Sequence, residues 1–82
     1  MIGRNRNEVT REVMQLIAEI MAVSVEDLHG DTRVVEDLNA SSMDILTLVM
    51  ALDAAFSTEI HLGDIPPSNV SVNWIADYVY SG

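Results

Sequence analysis

The chain has 82 residues, 49% of them hydrophobic, which allows one domain with a modest core and argues against disorder. Thirteen Asp and Glu residues against four arginines give a net charge of −9, which disfavours nucleic acid and anionic lipid as partners. The absence of cysteine excludes disulfides and zinc–thiolate sites. No uninterrupted apolar run approaches about 18 residues, and the first residues lack the apolar core of a signal peptide. We therefore expect no membrane span and a cytoplasmic location.

The first helix is predicted from about Asn7 to Met21, with Asn7 as its N-terminal cap. Residues 1–6, which include Arg4 and Arg6, are expected to be a flexible and solvated end. The apolar residues at helical spacing should face the core. They are Val9, Val13, Leu16, Ile17 and Ile20.

From Ala22 to Ala40 no long helical period appears, which predicts a long first loop. Ser24 to Leu28 could form one turn capped by the Ser24 side chain, and residues 29–32 have the composition of a tight turn. A loop of this length must be held by its own apolar contacts. The candidates are Val23, Val25, Leu28, Val34, Val35 and Leu38.

The stretch from Leu38 to Ile60 is the most informative, and we expect the rest of the chain to be organised around it. Ser41 is a good N-cap for a helix of about four turns, because its hydroxyl can accept from the backbone N–H of Asp44 while the Asp44 side chain reaches back. Ser42 then occupies the first helical position. A serine there is exposed, and the helix dipole around its oxygen favours a phosphate.

This helix has two apolar sides. The side predicted to face the core contains Ile45, Leu48, Val49, Leu52 and Phe56, and the roughly opposite side contains Met43, Leu46, Met50 and Ala54. Either the helix is buried all round, or the second side is a partner surface that begins beside Ser42. We favour the partner surface, because a small domain can hardly wrap a helix completely and methionine is common on adaptable surfaces.

After this helix, residues 57–63 are predicted to be a loop, and residues 64–68 can form at most a short helix because Pro66 and Pro67 interrupt it. The last helix should begin after Ser71 as its cap. Trp74 and Tyr78 are four residues apart and should pack on each other over the end of the bundle. The residues expected to face the core are Val72, Ile75, Ala76 and Val79.

The predicted fold class is therefore all-α: a single domain over residues 1–82, built as a small bundle of three main helices plus a short helix before the last, with a long first loop. No catalytic residue or metal site is predicted. Ser42 with His29 or His61 could be read as a hydrolase triad, but there is no Gly-x-Ser-x-Gly elbow and both histidines lie in loops. The acidic residues of the first loop lack EF-hand spacing, so a solvated face is favoured over loose cation binding.

The Leu38–Ile60 stretch resembles the attachment segment of the acyl carrier proteins, in which an Asp-Ser-Leu triplet opens the second helix and a run like LVMAL follows. Here the triplet is Ser41-Ser42-Met43 and the run is residues 48–52. The resemblance covers most of residues 7–80. It departs at Ser41, where the family usually has Asp. Acidic residues are also common in the family at three further positions, which here are Thr47, Ala54 and Ala55.

The resemblance implies a 4′-phosphopantetheine arm on Ser42, moved there from coenzyme A by a phosphopantetheinyl transferase. It implies a carrier of acyl thioesters in fatty-acid or polyketide assembly rather than an enzyme. A thioester would need the sulfur of this arm, since the chain has no thiol of its own. We expect a free-standing protein rather than a domain of a large synthase, because the chain ends soon after its last predicted helix. We also expect a monomer.

The partners implied are acyl-transfer, condensing and reducing enzymes with basic or apolar docking patches, reached through Met43, Leu46 and Met50. Two alternatives stay open: an unmodified helical interaction module with the carrier fold, and a peptidyl or aminoacyl carrier. The second is disfavoured because Asn39-Ala40-Ser41 replaces the Gly-Gly pair that peptidyl carriers tend to show before the serine.

Overall fold

The computed structural model describes residues 5–66 and 68–81. Three helices make up the bundle: α1 (Arg6–Met21), α2 (Ser42–Phe56) and α3 (Val72–Ser81). Two 3-10 turns, Val25–Asp27 and Leu62–Asp64, lie in the loops between them, and the described residues contain no strand. The prediction of an all-α bundle with a long first loop and a short helical turn before the last helix is confirmed.

The core is formed by the inward sides of all three helices. The α1 residues Val13 and Ile17 are completely buried, and so is Val72 at the start of α3. The residues predicted to face inward on α1 and α3 are all buried or packed against this core. The expectation that α2 organises the bundle is wrong, because α1 is the helix that packs extensively against both of the others.

The first helix begins earlier than predicted. Its N-cap is Asn5, not Asn7, and the Asn5 side chain accepts from Glu8 N at 2.8 Å while the Glu8 carboxylate accepts from Asn5 N at 3.1 Å. Arg6 is therefore helical rather than part of a solvated end, and its guanidinium lies 2.7 Å from the carboxylate of Asp77 on α3. Arg4 and the rest of residues 1–4 lie outside the described residues.

The first loop is tied to the start of α3 by backbone hydrogen bonds. Val34 N donates to Val70 O at 3.0 Å, Val72 N donates to Thr32 O at 3.0 Å, and Asn73 N donates to Gly30 O at 2.8 Å. These bonds satisfy loop groups that no helix could pair. The loop therefore lies along the bundle in a defined position and presents Ser41 at its end.

The apolar side chains of this loop behave as predicted, with one exception. Leu28 and Val34 are buried, and Val23, Val35 and Leu38 pack against the core, but Val25 is 42% exposed. The predicted turn after Ser24 exists, although the Ser24 side chain makes no capping hydrogen bond. Backbone bonds to Ser24 O and Val25 O close the turn instead.

The short helical turn before α3 is also displaced from its predicted position. It occupies Leu62–Asp64 instead of starting at Asp64. Ile65 is extended, with φ −87° and ψ 120°, because the residue before a proline is disfavoured in the helical region. The turn must therefore end before Ile65.

Candidate functional site: the start and outer side of α2

The start of α2 is held by the reciprocal cap that the sequence predicts. Ser41 Oγ accepts from Asp44 N at 3.2 Å, and Asp44 Oδ2 accepts from Ser41 N at 3.0 Å. Ser41 itself is extended, with φ −84° and ψ 173°, as an N-cap residue should be. Both side chains are thus engaged with the backbone, and the direction in which α2 leaves the loop is fixed.

Ser42 is the first residue of α2, and it is exposed. Its position at the N-terminus places the hydroxyl among backbone N–H groups of the first turn that have no partner within the helix. These groups and the helix dipole stabilise a negatively charged substituent. In the described part of the chain, neither His29 nor His61 is hydrogen-bonded to Ser42.

One side of α2 is solvent-exposed although it is apolar. Met43 is 69% exposed, Leu46 38% and Met50 64%, whereas Leu48, Val49 and Leu52 on the other side are buried. The structure thus rejects the reading that α2 is buried all round. An apolar stripe that begins one residue after Ser42 is free to contact another molecule.

Between α2 and α3 lies a small cavity with entirely apolar walls. Its volume is about 20 Å³, which is the room that one water molecule needs. Leu48 and Leu52 line it from α2, Ile75 from α3, and Ile60 and Ile65 from the second loop. In this conformation the cavity holds no room for an acyl chain.

Trp74 and Tyr78 stack beside this cavity, with ring centroids 5.4 Å apart, as their spacing predicts. The Tyr78 hydroxyl donates to Asp64 Oδ2 at 2.9 Å, and this bond is the main reason why the pKa of Tyr78 is raised. The bond joins α3 to the 3-10 turn of the second loop. Sequence reasoning missed it, because fourteen residues separate the partners and no local pattern links them.

Asp53 is a second residue whose role sequence reasoning missed. Its Oδ1 accepts from Ile60 N at 3.0 Å and from Thr58 Oγ1 at 3.3 Å. It thereby holds the chain that leaves α2. No local pattern predicts this bond, because Asp53 and Ile60 are seven positions apart and lie outside the short-range patterns of side-chain-to-backbone bonding.

Two acidic residues of the first loop, Glu36 and Asp37, form hydrogen bonds within the chain. Arg33 N donates to Asp37 Oδ2 at 2.8 Å, and this bond is the largest cause of a lowered pKa for Asp37. Glu36 Oε2 accepts from Asn69 N at 2.8 Å. Within residues 5–66 and 68–81, no group of three His, Asp or Glu side chains is placed to hold a metal ion.

Comparison with known proteins agrees with this geometry. The family described as "Phosphopantetheine attachment site" matches residues 11–79. The chain belongs to the acyl carrier protein family. The acyl carrier protein of Buchnera aphidicola is 32% identical over 73 residues, which are 89% of this chain and 91% of that protein. The acyl carrier protein of Campylobacter hominis is 40% identical over 53 residues, which are 65% of this chain and 67% of that protein.

The prosthetic group of this family is 4′-phosphopantetheine, and the start of α2 fits it. A phosphodiester needs an accessible hydroxyl, which Ser42 has, and its negative charge suits a helix N-terminus. Ser41, the neighbouring hydroxyl, is engaged as the cap. None of the described helices is both long and apolar enough to cross a membrane.

Proposed function

We propose that this chain carries acyl intermediates as thioesters on a 4′-phosphopantetheine arm attached to Ser42. The observation that carries the proposal is the exposed Ser42 hydroxyl at the first position of α2, directly after the Ser41–Asp44 cap. The chain carries the acyl group and leaves the chemistry to separate enzymes. Its lack of cysteine agrees with this role, because the thiol then belongs to the arm.

In this role Ser42 is modified rather than catalytic. A phosphopantetheinyl transferase supplies the activation that no side chain of the described residues provides, and it transfers the arm from coenzyme A to the Ser42 oxygen. The acyl-transfer, condensing and reducing enzymes of fatty-acid or polyketide assembly then act on the arm. The exposed stripe of Met43, Leu46 and Met50 is the surface that these enzymes contact. The chain works as a single-domain monomer.

Intact-mass measurement after incubation with coenzyme A and a phosphopantetheinyl transferase tests the attachment site. The wild-type chain should gain one arm, Ser41→Ala should still gain one, and Ser42→Ala should gain none while keeping its helical circular dichroism. Loading of Ser42→Ala would overturn the assignment of Ser42. A wild-type chain that gains no mass would favour an unmodified interaction module.

A further inference from the structure

The outer face of α2 carries no charged side chain. We define this face by the five exposed residues that lie within a sector of about 100° on a helix of 3.6 residues per turn. They are Met43, Leu46, Thr47, Met50 and Ala54. The face begins one residue after Ser42 and extends for about three turns along the helix.

The two carboxylates of α2 lie beside this face and are both held within the chain. Asp44 accepts from Ser41 N in the capping box, and Asp53 accepts from Ile60 N and Thr58 Oγ1. Each side chain is half-buried. These bonds use Asp44 Oδ2 and Asp53 Oδ1 and hold the two carboxylates beside the outer face rather than on it, and Asp53 lies roughly 16 Å along the helix from Ser42.

This neutrality contrasts with the rest of the surface. The chain has a net charge of −9, and its exposed carboxylates lie on α1, on α3 and in the two loops. They are Glu8, Glu19, Glu26, Asp27, Asp31, Glu36, Asp37, Glu59, Asp64 and Asp77. None of them belongs to α2. The negative electrostatic field of the molecule is therefore produced mainly by carboxylates that surround the outer face, and not by residues of the face itself.

We infer that the enzymes working at Ser42 meet the outer face of α2 with an uncharged apolar socket and not with a basic patch. This inference rests on the proposed function and specifies the chemistry of its partners. A Lys or Arg buried against Met43, Leu46 and Met50 would lose hydration and find no carboxylate within the outer face itself, which is costly. Apolar side chains lose nothing there, and the flexible methionines can adapt to more than one socket. The surrounding carboxylates act at long range, on the rate of encounter.

Opposite charges introduced at Thr47 distinguish an apolar socket from a basic one. Thr47 is exposed on the outer face, so Thr47→Glu and Thr47→Arg should both fold. Gln15, exposed on α1, gives the matched controls Gln15→Glu and Gln15→Arg, which change the net charge equally but outside the outer face. The probes are the phosphopantetheinyl transferase and the condensing enzyme of the source organism. Binding of the unmodified chain is measured by calorimetry without coenzyme A, and circular dichroism verifies folding.

With an apolar socket, both Thr47 substitutions should weaken binding by about tenfold or more, which corresponds to about 1.4 kcal/mol. The two Gln15 substitutions should shift affinity only slightly and in opposite directions. Tighter binding of Thr47→Glu together with weaker binding of Thr47→Arg would reveal a basic socket and overturn the inference. Unchanged binding of both would show that the outer face is not the docking surface. The binding assay does not require the phosphopantetheine arm. A failure of this inference is therefore distinguishable from a failure of the proposed function, in which the chain would gain no arm.

Discussion

The Tyr78 hydroxyl donates a 2.9 Å hydrogen bond to Asp64 Oδ2 and thereby ties α3 to the 3-10 turn of the second loop. The bond requires a protonated phenol, because a phenolate beside the carboxylate would lose the donor and add repulsion. This is why the pKa of Tyr78 is raised above its ordinary value of 10.0. The hydrogen bond therefore stabilises the fold at pH values where the Tyr78 phenol is protonated, and it stops doing so in alkali, where the phenol ionises.

We predict that the stabilising effect of Tyr78 disappears in alkali. A group whose pKa is raised on folding contributes fully below its unfolded pKa, which is about 10, and loses the contribution as pH rises through the folded pKa. Tyr78→Phe should melt below the wild type at pH 7, and the gap should close between about pH 10 and the folded pKa. Tyr80→Phe removes an exposed phenol from the same helix and serves as the control. A gap that stays constant through this range would contradict the assignment.

The exposure of Met50 predicts that a charge there is tolerated by the fold. Met50 is 64% exposed, so Met50→Glu should change the free energy of unfolding by no more than about 0.5 kcal/mol. Leu52, two residues on, is 2% exposed, and Leu52→Ala should cost about 2–5 kcal/mol. Urea denaturation measures both. The same Met50→Glu chain should transfer acyl groups to partner enzymes more slowly, and a large loss of stability in it would mean that the stripe belongs to the core.

The net charge of −9 predicts that salt stabilises the fold. Like charges repel in the compact state, and ions screen this repulsion over about 10 Å at 0.1 M. Screening also weakens the surface pairs of Arg6 with Asp77 and of Arg33 with Asp37, but such pairs contribute little. The melting temperature should therefore rise from low to moderate ionic strength. Glu26→Gln should melt higher at low salt and gain less from added salt. A flat or falling response of the wild type would show that repulsion is a minor effect here.

The features that could be predicted from the sequence are those set by neighbouring residues. The cap formed by Ser41 and Asp44 needs residues three positions apart, and the stack of Trp74 on Tyr78 needs residues four apart. The inward sides of the helices follow from their apolar periodicity. The position of Ser42 at the start of α2 is a consequence of the same local rules.

The features that were missed fall into two groups. The helix start at Asn5 and the end of the second-loop turn at Asp64 had local signals, namely Glu8 three residues after Asn5 and the proline after Ile65. The bonds of Tyr78 to Asp64 and of Arg6 to Asp77 had none, because the packing of the helices brings the partners together. The central position of α1 had no local signal either, because it also depends on how the helices pack.

The last prediction concerns Ser41, whose side chain accepts the capping hydrogen bond at the start of α2. Ser41→Ala should lower the free energy of unfolding by about 1 kcal/mol, since the N–H of Asp44 would lose its acceptor. Ser41→Asp should keep the bond and add about 0.3–1 kcal/mol through the helix dipole. Ser24 provides the matched control, since it precedes a 3-10 turn without a side-chain capping bond, and Ser24→Ala should change stability little. Denaturant unfolding of the four chains should give the highest free energy of unfolding for Ser41→Asp. The wild type and Ser24→Ala should follow with equal values, and Ser41→Ala should have the lowest. Equal losses for the two alanine variants would show that the Ser41 hydroxyl does not stabilise the cap.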